Sequence, residues 1–244
     1  MNCIDQNDVR DWFENDRFLT TDELVKRLSL RFPDAKMGTL SVKLHRLKKE
    51  GLVRNVRRGL YAAGSKREFE PDISKELAGL FKKLGKRFPY LDSLCVWDSR
   101  WLNEFTVHQA LTSMVIIETE RDAEKAVFEF IKAAYSRVFI DPTPKEIDNY
   151  ILGCEKCFVV RPIVTEAPVT SFDNAAIPRL EKILVDLVCE KDLFVSFQGE
   201  ELCNIFRRAL KDYDVSLSTL RRYARRRGRL EEIDKLIVTQ GEGI

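Results

Sequence analysis

The sequence lacks long apolar runs: nothing approaches the roughly 18 consecutive apolar residues of a membrane span, so a membrane protein is not expected. Its first residues, MNCIDQNDVR, hold no apolar run behind a basic flank, and a cytoplasmic location is the expectation. Glycine and proline are scarce, 11 and 8 among 244 residues, while hydrophobic residues make up 44%, which argues against disorder and for a packed, helix-rich chain. There are only two histidines, His45 and His108, and no glycine-rich phosphate loop. The six cysteines are scattered, and only Cys154 and Cys157 form a CxxC. A closed zinc site needs four ligands, and no second CxxC or nearby histidine supplies the rest. No metal and no cofactor are expected, and the cysteines read as small buried apolar residues.

Charge is present but unevenly spread. The net charge of +2 conceals ten Lys/Arg between Lys36 and Arg67 against a single acid, Glu50. Such a local field favours phosphates.

At this length two domains are expected, with a winged helix-turn-helix at 1–66, a linker at 67–72 and a larger α/β domain at 73–244 ending in helices. In the first, Val9, Trp12 and Phe13 give Asp8 to Phe18 one apolar helical face. Thr20-Thr21-Asp22-Glu23 caps a second helix, which Phe32-Pro33 ends. Thr39 is expected to cap the third, in which Leu40, Leu44 and Leu47 lie on one side and Val42, His45, Arg46 and Lys49 on the other. Gly51 stops it. Leu52 to Ala63 then alternates around Arg57-Arg58-Gly59, the pattern of a β-hairpin with a basic tip. A helix of this kind suits a major groove, and the hairpin arginines suit phosphates or a minor groove. The expected DNA-binding residues are Thr39, Ser41, Val42, His45, Arg46, Lys48, Lys49, Arg54, Arg57 and Arg58.

Beyond the charged stretch Lys66 to Asp72, apolar strands alternate with helices. Strands are expected at Leu94–Trp97, Met114–Thr119, Val138–Ile140 and Phe158–Thr165, with helices at Ile73–Arg87, Arg100–Gln109, Ala123–Ala134 and Lys145–Leu152. From Ile177 the chain reads as helical, with Pro178 at the first position of a helix, then helices at Gly199–Leu210, Leu217–Gly228 and Leu230–Val238. In the third of these four, Arg222, Arg225 and Arg226, with Arg229 just beyond it, form an outward basic stripe. It suits nucleic acid, a nucleotide or an acidic protein, or is a solvated face, and the sequence does not choose.

Catalytic constellations are weak. Asp98, Glu118 and Glu120 distantly resemble the metal-binding carboxylates of restriction-type nucleases, but those need a lysine two residues beyond the second acid. Glu120 and Asp122 occupy the two available slots. His108 has no nucleophile and acid in a recognisable spacing. The expectation is a protein that is not an enzyme.

The passages HRLKKEGLVRNVRRGLYA, WDSRWLNEFTVHQ, IPRLEKILVDL and STLRRYARRRGRLEEI, taken in order, resemble the AbiEi-type antitoxins of type IV toxin–antitoxin systems. The resemblance implies a repressor that binds double-stranded DNA at its own promoter, and a C-terminal domain that counteracts an AbiEii-like nucleotidyltransferase toxin. It does not imply a stable complex with that toxin. The sequence leaves open the number of subunits on DNA. It also leaves two alternatives: a DNA-targeted enzyme with a diverged nuclease domain, and a ligand-sensing winged-helix regulator.

Overall fold

The computed structural model describes residues 4, 6–14, 16, 18–49, 51–64, 67–172 and 175–241. Cys3, Glu50 and Lys66, named above, lie outside the described residues. The fold is mixed α/β and divides into two compact units, 1–69 with 211–214, and 70–210 with 215–244. No helix among the described residues is long and apolar enough to cross a membrane.

The first unit runs α1 (Gln6–Trp12), β1 (Leu19–Thr20), α2 (Thr21–Arg31), α3 (Met37–Lys49), β2 (Val53–Arg57) and β3 (Leu60–Ala63). Its three strands form an antiparallel sheet in the order β1-β3-β2. Val9, Leu24, Leu28, Leu40, Leu44, Leu47, Val53 and Tyr61 meet in one core. The α2 start follows the sequence: Thr20 accepts from the Glu23 N–H, while the Glu23 carboxylate accepts from the Thr20 N–H, satisfying two otherwise orphaned donors. The expected first helix to Phe18 is shorter, ending at Trp12. Thr39 is not a cap. The helix already begins at Met37, with the Leu40 N–H donating to the Lys36 carbonyl.

The second unit is built on a six-stranded mixed sheet, β6-β7-β5-β4-β9-β8. It comprises α4 (Lys75–Arg87), β4 (Leu94–Asp98), β5 (Ser113–Thr119), α5 (Glu124–Lys132), β6 (Val138–Ile140), a short α6 (Pro144–Glu146), β7 (Lys156–Pro162), β8 (Val169–Phe172), β9 (Ala175–Pro178), α7 (Leu180–Cys189), α8 (Glu200–Asp212, of which 200–210 belong to this unit), α9 (Leu217–Arg226) and α10 (Leu230–Gly241). β5, β6 and β7 run parallel, and β4 pairs antiparallel with β5. One sheet face carries Val115 and Phe158, which share a cleft with Leu77 and Leu80 of α4. The other faces α7, reached by Glu118 through Lys182, and carries Trp97 against the ring of Phe194, which follows α7.

Three expectations are corrected in this unit. Arg100 to Gln109 is not an α-helix: Ser99–Glu104 is a 3-10 turn begun by the Asp98 side chain, which accepts from the Arg100 N–H. Lys145 to Leu152 is a single short α turn continued by a π-type turn at Ile147–Ile151. Pro178 does not open a helix but closes β9, and α7 begins two residues later at Leu180. A proline's fixed φ suits a helix start and an extended strand end alike, so it could not discriminate.

Candidate nucleic-acid interface

The helix α3 is divided along its length. Leu40, Leu44 and Leu47 are buried, while Thr39, Ser41, Val42, His45, Arg46, Lys48 and Lys49 are exposed. The spacing of the leucines puts one side of the helix in the core and leaves every predicted contact residue on the outside. Lys43, between the two sides, is half-buried with its ammonium 3.7 Å from the Phe32 ring centroid, a cation–π contact that secures the turn before α3. Arg46, Lys48 and Lys49 fall in the last turn, where cations also complement the helix dipole.

The hairpin that follows is pinned at both ends. At its base, Gly51 takes a φ of 70° to end α3, and the Gly64 N–H donates 2.8 Å to the Leu52 carbonyl. A Cβ on Gly64 would come within 2.2 Å of the Gly51 carbonyl oxygen, so glycine is required there. At its tip, Gly59 has a φ of 75°, and its carbonyl accepts from the Thr21 N–H at 3.1 Å, tying the turn to the start of α2. The register shifts between Asn55 and Arg57, a bulge in β2 that increases the local twist. Arg54, Arg57 and Arg58 are all exposed. The unit thus presents an exposed polar helix face and a rigidly based hairpin with cations at its tip.

In the second unit the basic stripe is partly engaged. Arg222 and Arg225 are exposed; Arg226 reaches the Thr165 hydroxyl through Nε at 2.9 Å, and Arg229 lies 3.4 Å from Glu232. Between them Arg227 turns inward, where it pairs with Asp186 at 2.9 Å and with Glu190.

The nuclease-like carboxylates do not converge. Cys95 pairs with Glu118 across β4 and β5, and Asp98 pairs with Val115. Alternation then puts Asp98 and Glu118 on opposite faces of the sheet. Asp98 binds Arg100, and Glu120 accepts from the Asp92 and Ser93 N–H groups at 2.9 and 3.0 Å. His108 is exposed and its ring lies 2.9 Å from Glu201. Cys154 and Cys157 are both buried, and desolvation together with the neighbouring Cys154 raises the Cys157 pKa. Among the described residues no group of three or more His, Cys, Asp or Glu is placed to hold a metal ion.

Sequence reasoning missed a buried ionic network. Lys182, fully buried, contacts Glu118 and Asp186, each at 2.5 Å; the Tyr223 hydroxyl donates to Asp186 at 3.1 Å, and Arg161 pairs with Glu190 at 2.7 Å. A signal existed: Lys182 and Asp186 stand at i and i+4 inside the apolar run of LEKILVDLVC, which is buried from Leu180 to Val188. Charges on a helix without a wet side must be paired. Next to this network, a cavity of about 210 Å³ is lined by Asp141, Ile147, Val159, Arg161, Cys189 and Asp192, among others.

The match of a family model spans residues 39–242 of the chain. The chain belongs to the DUF6577 family, a family of unknown function. The DUF6577 match opens at Thr39 on α3 and takes in the hairpin together with most of the second unit; α1, β1 and α2 precede it. No curated protein matches the chain. For this member of DUF6577 the functional reading therefore rests on the geometry of α3 and the hairpin.

Proposed function

We propose that the chain is a winged helix-turn-helix repressor that binds double-stranded DNA at its own promoter, with α3 as the reading helix and the β2–β3 hairpin as the wing. The observation that carries this reading is the division of α3: a core side held by three leucines and an exposed side of short polar, imidazole and cationic residues, continued by the exposed arginines of the adjoining hairpin. The element order and the β1-β3-β2 sheet support it. The resemblance to AbiEi-type antitoxins supports a second role, counteracting a nucleotidyltransferase toxin in the cytoplasm without a required stable complex. That role falls to the second unit, to which no catalytic function is assigned.

The test is a mobility shift of the full chain on the DNA upstream of its own reading frame, across a salt series. Binding driven by phosphate contacts weakens steeply with salt, about 10³–10⁵-fold between 50 and 200 mM for six to ten contacts. Absence of binding at the lowest salt refutes the repressor reading. Co-expression with a neighbouring nucleotidyltransferase, where one is encoded, tests the antitoxin role through restored growth.

One observation favours a ligand-sensing variant of the same reading. The cavity beside Arg161 lies at the carboxyl ends of the parallel strands β6 and β7, where open α/β sheets bind small molecules. A metabolite that both raises the melting temperature and shifts DNA affinity would favour this variant.

A further inference from the structure

Two residues of α3 are not accounted for by contacts among the described residues. Gly38 sits in the first turn of the helix, is exposed, and has no neighbour among the described residues within 4 Å of where its Cβ would be. Its φ is not in the left-handed range, so the backbone there does not call for glycine. Glycine inside a helix is otherwise unfavourable relative to alanine. One turn later Val42 is 68% exposed, an apolar and β-branched residue at a position that buries little of it. At about 100° per residue, Gly38, Val42, His45 and Lys49 lie along one line diametrically opposite Leu40, Leu44 and Leu47. That line is the part of α3 that enters deepest into anything the helix is laid upon.

We propose that Gly38 and Val42 are specificity-determining residues: Gly38 is the point of closest approach between α3 and DNA, and Val42 packs on the 5-methyl group of a thymine. The inference rests on the DNA-binding reading above and deepens it. In the major groove the thymine methyl is the apolar feature of the base-pair edges, and it selects an aliphatic side chain. A Cβ at position 38 meets nothing among the described residues, so packing within them does not call for glycine there, and close seating on DNA would. The missing side chain and the exposed isopropyl group thus have one cause, the close seating of the N-terminal half of the helix in a groove. His45 and Lys49, further along the same line, then follow the groove towards base edges and phosphate.

The two substitutions carry opposite signatures. Gly38→Ala reduces the freedom of the unfolded chain and fits the open space of the folded one, so the melting temperature rises. Its DNA affinity falls at least tenfold. Val42→Ala leaves the melting temperature within about a degree or raises it, because little area is lost and alanine favours helix.

The experiment compares wild type, Gly38→Ala and Val42→Ala on a fragment of the chain's own upstream region. The fragment is prepared once with thymidine and once with deoxyuridine throughout. Thermal melts are recorded in parallel. Wild type is expected to bind the uracil DNA about fourfold more weakly, the worth of one buried methyl. Val42→Ala is expected to bind thymine DNA equally weakly and to lose the distinction between the two. Equal binding of both DNAs by wild type, or unchanged affinity of Gly38→Ala, overturns the inference while leaving the repressor reading in place. A lowered melting temperature for Gly38→Ala overturns it as well, since the space would not be open. Wild type that binds neither DNA refutes the repressor reading and this inference with it.

Discussion

The Lys182 ammonium lies 2.5 Å from Glu118 on β5 and 2.5 Å from Asp186 one turn further along α7, with no part of the lysine exposed. The sheet and the helix covering it are therefore joined by a charge that cannot reach water. Burial by itself pulls Lys182 towards the neutral form; Asp186 and Glu118 overcome it, and its pKa lies well above the ordinary lysine value. Arg227 and Tyr223 add donors to Asp186, so the partner carboxylate is itself satisfied.

Removing one member of such a network costs more than the network contributes, because it strands the others. Lys182→Met leaves Glu118 and Asp186 facing each other in a dry interior and is expected to destabilise the second unit by about 3–5 kcal/mol. The raised pKa gives the sign with pH. Its contribution is complete below the unfolded lysine value of about 10.4 and is lost only as pH climbs through the still higher folded value. The urea midpoint difference between wild type and variant should be the same at pH 7 and pH 9. A difference that vanishes by pH 9 would mean that Lys182 is neutral in the folded chain.

Gly64 tests how rigidly the hairpin is based. Its substitution by alanine forces a Cβ against the Gly51 carbonyl, so the backbone must separate where α3 hands over to β2. The expected cost is about 1–3 kcal/mol in the first unit, with weakened DNA binding. A Gly64→Ala variant with the wild-type denaturation midpoint would show that this base is pliable.

Glu23 supplies a pH-dependent anchor. Hydrogen bonds from the Thr20 backbone and hydroxyl hold its pKa below the ordinary value. A depressed carboxylate pKa stabilises above the unfolded value, and the effect fades as pH falls through the folded one. Glu23→Gln should therefore melt below wild type at pH 7, with the gap narrowing as pH falls below the ordinary glutamate value of about 4.3. Parallel melts across that range decide it, and a gap that does not narrow with falling pH would exclude the charge as the cause.

How far the sequence revealed the structure depended on how local each signal was. The Thr20–Glu23 cap and the leucines of α3 are set by residues three and four apart, and they were legible. The antiparallel pairing of β8 with β9 was not. Its strand Ala175–Pro178 lacks alternation and inserts beside β4, pairing Ala176 with Cys95 some 80 residues earlier in the chain. The 3-10 turn at Ser99–Glu104 depends on the Asp98 side chain competing for the backbone, which periodicity does not report. The Glu118–Lys182 pair likewise spans 64 residues. Within the candidate interface, the outward residues of α3 were readable from the leucine spacing. The open space at Gly38 was not, because the lack of a neighbour is a property of the folded surface.

The arginines at the tip of the β2–β3 hairpin give the most direct measure of what the first unit contacts. Arg57 and Arg58 are exposed at a tip held by the Thr21 to Gly59 hydrogen bond, so replacing both by alanine should leave the melting temperature unchanged. If each neutralises one phosphate, the double variant loses two released counterions. The slope of log affinity against log salt then becomes shallower by about 1.8, from roughly 0.9 per phosphate on duplex DNA. Affinity at low salt should fall while the preference for the native sequence over an unrelated fragment is retained, since backbone contacts position a protein without reading bases. A lost preference with an unchanged slope would instead assign these arginines to the minor groove, where they read the width of A·T-rich steps.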